Sequence, residues 1–338
     1  MTVDPEIPVP PLHYGGIERI VDMLICGLAE RGHQIHLFAH PQSKTPAKLI
    51  PYRGRHSGSL KDTLINALQI KDYIKTIGGV DIIHSFSRLA YLLFLLKSPI
   101  PKIQSYQRYI TARSVYLGTL LAGRTLSFTA CSRYCAGTAD FAVGRWVIIP
   151  NGVSIDKYQF VPSVVSDAPL VFLGRIEKIK GVHTAIEVAK RTGRPLIIAG
   201  NHASSGKEYE YYAEEILPSC DGKLIRYVGA VDDIQKNELL GKALALIFPI
   251  EWDEPFGIVM VEALACGTPV VAFGKGAVPE IIKHKVTGFI CNSINEMMEA
   301  IRQISYIKRS NCRTDTEERF SDRVIIEEYE DLYYSCLK

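Results

Sequence analysis

Two glutamates eight positions apart carry the first suggestion of chemistry. Residues 249–271 read Pro-Ile-Glu-Trp-Asp-Glu-Pro-Phe-Gly-Ile-Val-Met-Val-Glu-Ala-Leu-Ala-Cys-Gly-Thr-Pro-Val-Val. Helical spacing begins near Gly257, so Glu254 and Phe256 fall in the loop before a helix and Glu262 about a turn and a half inside it. The first N–H groups of that helix, on Gly257, Ile258 and Val259, have no partner within it and form an anion site. A carboxylate accepts two hydroxyl hydrogen bonds at once, so acids beside an anion site suit recognition of a polyhydroxylated phosphate ester. From spacing alone, two exposed acids flanking a helix start read equally well.

A second run, Gly174-Arg175-Ile-Glu-Lys-Ile-Lys180-Gly181, follows an apolar stretch ending at Leu173. A strand, then Arg175, then Lys180 and a glycine before a helix would aim two cations at one crevice. Arginine forks onto phosphate oxygens and lysine adds a point charge. Tyr14-Gly15-Gly16-Ile17-Glu18-Arg19 is a weaker signal: two glycines before a helix allow close backbone approach to an anion.

The elements that must position these residues alternate. Short apolar strands are predicted at 34–39, 81–86, 102–105, 127–130 and 146–149, and again at 170–173, 196–199, 224–228, 243–248, 268–272 and 288–291. Amphipathic stretches such as 17–31 and 182–191 separate them. This alternation predicts an α/β protein of parallel sheets covered by helices, in two Rossmann-like halves. The length of 338 residues suits two domains of about 150 each. Ligands in such sheets sit at the carboxyl ends of strands, where the candidate residues fall. Neither half holds the GxGxxG fingerprint of a dinucleotide site.

Charge divides the halves. Residues 1–150 hold 17 basic against 9 acidic side chains, and residues 151–338 hold 22 against 27. The basic excess lies in residues 51–150 and points to an anionic partner: an acceptor, a membrane surface or, last for want of any motif, nucleic acid. The eight cysteines show no zinc or CxxC spacing and read as buried thiols of a reduced cytosol. No apolar run is long enough for a membrane span, which leaves a cytoplasmic protein or one peripheral at a membrane.

Residues 254–262 resemble the E-x(7)-E motif of retaining glycosyltransferase family 4, and Gly174–Gly181 its G-R-x(4)-K-G motif. Pro150-Asn-Gly-Val153 resembles its interdomain P-N-G-V. Residues 8–19 (PVPPLHYGGIER) and 228–233 (VGAVDD) are similar to the branch typified by the avilamycin-type glycosyltransferase. The resemblance implies a GT-B fold, two Rossmann-like domains facing each other across a cleft. It places an acceptor domain at 1–153, a nucleotide-sugar donor domain at 154–319, and a helix at 320–338 that crosses back to the first. It implies that Glu262 holds the ribose hydroxyls, and that Arg175 and Lys180 neutralise the diphosphate. Gly15, Gly16, Gly257, Ile258 and Val259 would lie along the phosphates, Val231 against the base and Glu254 at the sugar, with Phe256 also in the donor site. It also implies no cofactor and no metal, since the nucleotide sugar is a substrate, UDP-linked more readily than GDP-linked, and cations replace the metal. The acceptor, anionic or lipid-linked, stays unnamed. A non-catalytic nucleotide-sugar binder and a sugar-nucleotide epimerase are the alternatives.

Two departures from the family pattern set further expectations. Residues 1–7 hold Asp4, Pro5 and Glu6 and cannot form a buried central strand. The first strand is therefore expected to be missing, or to lie upstream, with this segment running over the surface. His84 ends a strand and is a candidate for a sugar or acceptor contact, while the family's second histidine is replaced by Phe86.

Overall fold

The computed structural model describes residues 1–12, 15–139 and 143–338; Tyr14 of the Gly-Gly motif lies outside these. The chain forms two compact units, Met1–Asn151 with Asp322–Lys338, and Gly152–Ser321. Both are α/β with parallel sheets.

The first unit contains β1 (His36–Ala39), β2 (Lys48–Pro51), β3 (Ile83–Ser85), β4 (Lys102–Tyr106), β5 (Leu126–Ala130) and β6 (Arg145–Ile148). β1 pairs with β2, and β3 to β6 pair in chain order. β2 was not expected from the sequence. It is a short edge strand with half-exposed residues, Lys48 at one end and Pro51 at the other, so no apolar alternation announces it.

The expected gap beside β1 is filled. Thr2 bridges in parallel to Phe38 of β1 and to Ser85 of β3. Its N–H donates to the His84 carbonyl at 2.9 Å and Val3 N–H to the Phe38 carbonyl at 3.1 Å. The amides of Phe38 and Phe86 donate back to the carbonyls of Met1 and Thr2. Thr2 and Val3 are fully buried. The expectation of a missing first strand and a surface arm is thus corrected. Only residues 1–3 enter the sheet. Asp4, Pro5 and Glu6 come after it, where the chain leaves the strand end, so no proline or acid interrupts the ladder.

Helices cover this sheet, among them Leu60–Thr76, whose Tyr73 packs edge-on against Phe38 of β1. Gly16–Glu30 turns Ile20, Val21, Leu24, Ile25 and Leu28 inward at helical spacing. The C-terminal Asp322–Leu337 helix packs on it and buries Ile325, Ile326, Tyr329, Leu332 and Tyr333. Gly27 permits the contact, because a Cβ there would overlap the Ile326 side chain.

The second unit has six parallel strands: β7 (Leu170–Leu173), β8 (Leu196–Ala199), β9 (Ile225–Tyr227), β10 (Ala245–Phe248), β11 (Val270–Phe273) and β12 (Gly288–Cys291). Their order is β12-β11-β10-β7-β8-β9. The central strands are apolar along their whole length because helices cover both faces. From β7 the chain winds one way and from β10 the other, so the strand order reverses between these two neighbours. Among the described residues no helix is long and apolar enough to cross a membrane.

Candidate active site

The reversal between β7 and β10 opens a crevice at their carboxyl ends, the place where ligands bind in open parallel sheets. Arg175 and Lys180 follow β7, and Glu254 follows β10. Lys180 and Glu254 meet: Nζ lies 2.6 Å from Oε2, with both side chains 14% exposed. The Trp252 indole N–H donates to the same oxygen at 2.9 Å, and the Lys180 ammonium sits 5.0 Å from the Trp252 ring centroid. Trp252 thus holds both charges of the pair. Arg175 pairs with Glu177 beside it and is the more exposed cation.

Glycines allow this loop packing. Gly181 has φ 73°, and a Cβ there would overlap the Pro249 carbonyl oxygen. Gly257 caps the Ile258–Ala265 helix at φ 83°, where a Cβ would press within 2.8 Å of Met260 and 3.3 Å of Glu254. The Ala277 N–H, after β11, donates to the Glu254 carbonyl at 2.9 Å, so three strand ends fix this residue. Phe256 is buried edge-on against Phe320 at 6.0 Å. It packs the loop from beneath, whereas Ile258 and Val259 at the helix start are half-exposed.

Glu262 is 4% exposed on the same helix. Its Oε1 accepts from the Tyr158 hydroxyl at 2.7 Å and from Lys236 Nζ at 2.5 Å. Lys236 belongs to the Asp233–Lys242 helix, which starts two residues after Val231 beyond β9. Asp232 caps that helix, its side chain accepting from the Gln235 N–H while Gln235 returns a bond to the Asp232 N–H. Both donors to Glu262 fall on one oxygen, so a buried carboxylate is held in place with its second oxygen available to a ligand. Sequence reasoning missed Lys236, Tyr158 and Trp252. Only Lys236 carried a signal, one helical turn past a capping acid at a strand end.

Arg175, Lys180, Val231, Glu254, Phe256, Gly257, Ile258, Val259 and Glu262 all sit in the second unit. Gly15, Gly16 and His84 belong to the first. Gly15 caps the Gly16–Glu30 helix with φ 155°, and a Cβ there would crowd Pro11 and Glu18 at 2.7 and 2.8 Å. Glu18 is buried, and that desolvation raises its pKa. The His84 expectation is corrected. Its ring is 2% exposed, with Nδ1 2.7 Å from the Tyr333 hydroxyl and Nε2 2.6 Å from Ser105 Oγ. It sits in β3 against the C-terminal helix with both ring nitrogens occupied, and burial pushes its pKa well below the ordinary value.

The glycosyl transferases group 1 family matches residues 156–324, half of the chain, and glycosyltransferase family 4 matches residues 14–157. The chain belongs to the glycosyl transferases group 1 family. This glycosyltransferase is 30% identical over 166 residues to the glycogen synthase of Mycobacterium tuberculosis, covering 46% of this chain and 39% of that one. It thus spans less than half the length of the first curated relatives it matches. It is 26% identical over 298 residues to the phosphatidyl-myo-inositol mannosyltransferase of Propionibacterium freudenreichii subsp. shermanii, 79% of this chain and 76% of that one. Among solved structures it resembles AviGT4, a glycosyltransferase involved in avilamycin A biosynthesis, with TM-score 0.72, 24% identity and coverage of 99% and 94%. It also resembles Anabaena Alr3699/HepE in complex with UDP and glucose, with TM-score 0.75, 21% identity and coverage of 99% and 98%. These neighbours share the GT-B fold of two Rossmann-like domains.

Proposed function

We propose that this glycosyltransferase moves a hexosyl group from a UDP-sugar to an acceptor with retention of configuration, binding the donor on its second unit. The observation that carries the reading is the Lys180–Glu254 pair with Arg175 at the strand-order reversal. In this reading Glu262 accepts the ribose hydroxyls on its second oxygen, and Val231 touches the base. Glu254 borders the sugar and grips its hydroxyls, and Phe256 supports the loop that carries it. Gly257, Ile258 and Val259 offer N–H groups to the phosphates.

During transfer the bond from the sugar C1 to the diphosphate oxygen breaks and a bond from C1 to the acceptor oxygen forms. The acceptor proton leaves with the diphosphate. Charge grows on the departing phosphate, where Arg175 and Lys180 stabilise it in place of a metal. One such preorganised contact is worth about 3–4 kcal/mol. UDP is favoured over GDP by the avilamycin-type motifs of residues 8–19 and 228–233 and by the UDP held by the HepE neighbour. The reading places the protein in the cytoplasm, free or peripheral at a membrane.

Thermal unfolding with UDP, GDP and UDP-glucose tests the assignment. A ligand at 100 times its Kd adds about 2.7 kcal/mol of stability. UDP should stabilise the wild type more than GDP does. Glu262→Gln should weaken both UDP and UDP-glucose, whereas Glu254→Gln should weaken UDP-glucose alone. Equal losses for both ligands in both variants would contradict the division of roles.

A further inference from the structure

The first unit has a cavity of its own, about 570 Å³, lined by Glu6, His40, Tyr52, Arg53, Arg55 and His56 among others. Each lining segment follows a strand end. Pro5 and Glu6 come after residues 1–3, His40 follows β1, and residues 52–56 follow β2. Those three strands are parallel neighbours, so the cavity sits where open sheets take ligands.

The loop that carries the arginines is fastened from behind. Asp62, Asn66 and Gln69 lie on one face of the Leu60–Thr76 helix. Gln69 accepts from the Arg53 N–H at 3.0 Å and donates to the Pro51 carbonyl at 2.8 Å. Asn66, fully buried, accepts from the Gly54 N–H at 2.8 Å and donates to the Gly54 carbonyl at 3.1 Å. Asp62 Oδ2 accepts from the N–H groups of Arg55 and His56, each at 3.0 Å. Gly54 lies so close to the helix that a Cβ would come within 2.7 Å of Asp62. The backbone is therefore fixed, while the Arg53 and Arg55 side chains on either side of Gly54 are exposed and line the cavity.

Neither guanidinium has a carboxylate partner among the described residues. Glu6, the one acid of the lining, already accepts from the Ser57 N–H at 2.5 Å. Two unpaired guanidiniums beside two imidazoles, on a backbone held by six side-chain hydrogen bonds to one helix, answer a dianion better than a single carboxylate. We infer that this cavity binds a phosphate group carried by the acceptor, with Arg53 and Arg55 as its ligands. The acceptor role rests on the glycosyltransferase reading above; the anion site itself does not.

Calorimetric titration of the full chain with inorganic phosphate, pyrophosphate, acetate and UDP tests it. The proteins are wild type, Arg53→Ala/Arg55→Ala and Arg175→Ala/Lys180→Ala, and phosphate is also titrated with UDP already present. Because both arginines are exposed, the first double variant should keep the wild-type Tm. Its affinity for phosphate and pyrophosphate should fall at least about tenfold while its affinity for UDP holds. Phosphate should still bind the wild type when UDP is present. Glycerol 3-phosphate in solution and phosphatidylcholine vesicles doped with phosphatidic acid separate a soluble from a lipid-linked phosphate. The source is whichever loses binding in the Arg53→Ala/Arg55→Ala protein. Phosphate affinity equal in that variant and the wild type, lost only in Arg175→Ala/Lys180→Ala, or matched by acetate would overturn the site. Failure of UDP to bind the wild type would instead sink the donor reading, and the acceptor role with it.

Discussion

Lys180 and Glu254 are each other's counter-charge, and both are largely removed from water. Removing one partner of such a pair leaves the other charge uncompensated. Arg175 is half-exposed and pairs with its neighbour Glu177, so its removal should disturb the fold less than removal of Lys180. Arg175→Ala and Lys180→Ala should each lower kcat/KM for the donor by about 100-fold or more, as one transition-state contact is worth roughly 3 kcal/mol. Lys180→Ala should also lower Tm, and by more than Arg175→Ala does. Wild-type-like kcat/KM in both variants would remove the diphosphate assignment. These residues were legible in the sequence because loop residues after a strand fall at the sheet's carboxyl edge. Their partners were not. Tyr158 and Lys236 lie 104 and 26 residues from Glu262 along the chain, and no local spacing links them.

At the scale of elements, alternation of apolar strands and amphipathic helices announced both sheets. The edge strand β2 and the contribution of residues 1–3 escaped. The first exposes too much of itself, and the second is too short for a periodicity. Thr2→Pro should leave the His84 carbonyl without its donor inside the sheet and cost at least about 2 kcal/mol. The amides of Phe38 and Phe86 should exchange as slowly in the wild type as those of β4. Unchanged stability, or fast exchange at both amides, would contradict a ladder through Thr2. His84 adds a pH dependence. Its pKa in the folded protein lies well below 6.5, so the unfolded chain takes a proton that the folded one refuses. The stability this contributes is complete above the unfolded value and is lost as pH falls below it. The slope is about 1.4 kcal/mol per pH unit. Unfolding free energies from pH 7.5 to pH 5, the working range about the histidine pKa, should fall less steeply for His84→Gln. Equal slopes would show that His84 titrates normally in the fold.

Across the whole molecule the two units divide the charge. The unit that holds Arg53 and Arg55 carries 19 basic against 14 acidic side chains, and the unit that holds Glu254 and Glu262 carries 20 against 22. That division fits an acceptor bearing phosphate on one unit and a hydroxyl-rich donor on the other. The central claim is that this glycosyltransferase turns over a UDP-hexose. Proton NMR of the purified protein with UDP-glucose, UDP-galactose and UDP-N-acetylglucosamine, with and without EDTA, follows donor, nucleotide and sugar in one tube. The account predicts release of UDP from at least one donor, with the transferred or hydrolysed sugar first appearing in the donor's own anomeric configuration. It also predicts the same rate in EDTA and a rate lower by about 100-fold for Lys180→Ala. A donor that is bound but never consumed, one converted to its epimer without UDP release, or a rate abolished by EDTA and restored by magnesium would contradict it.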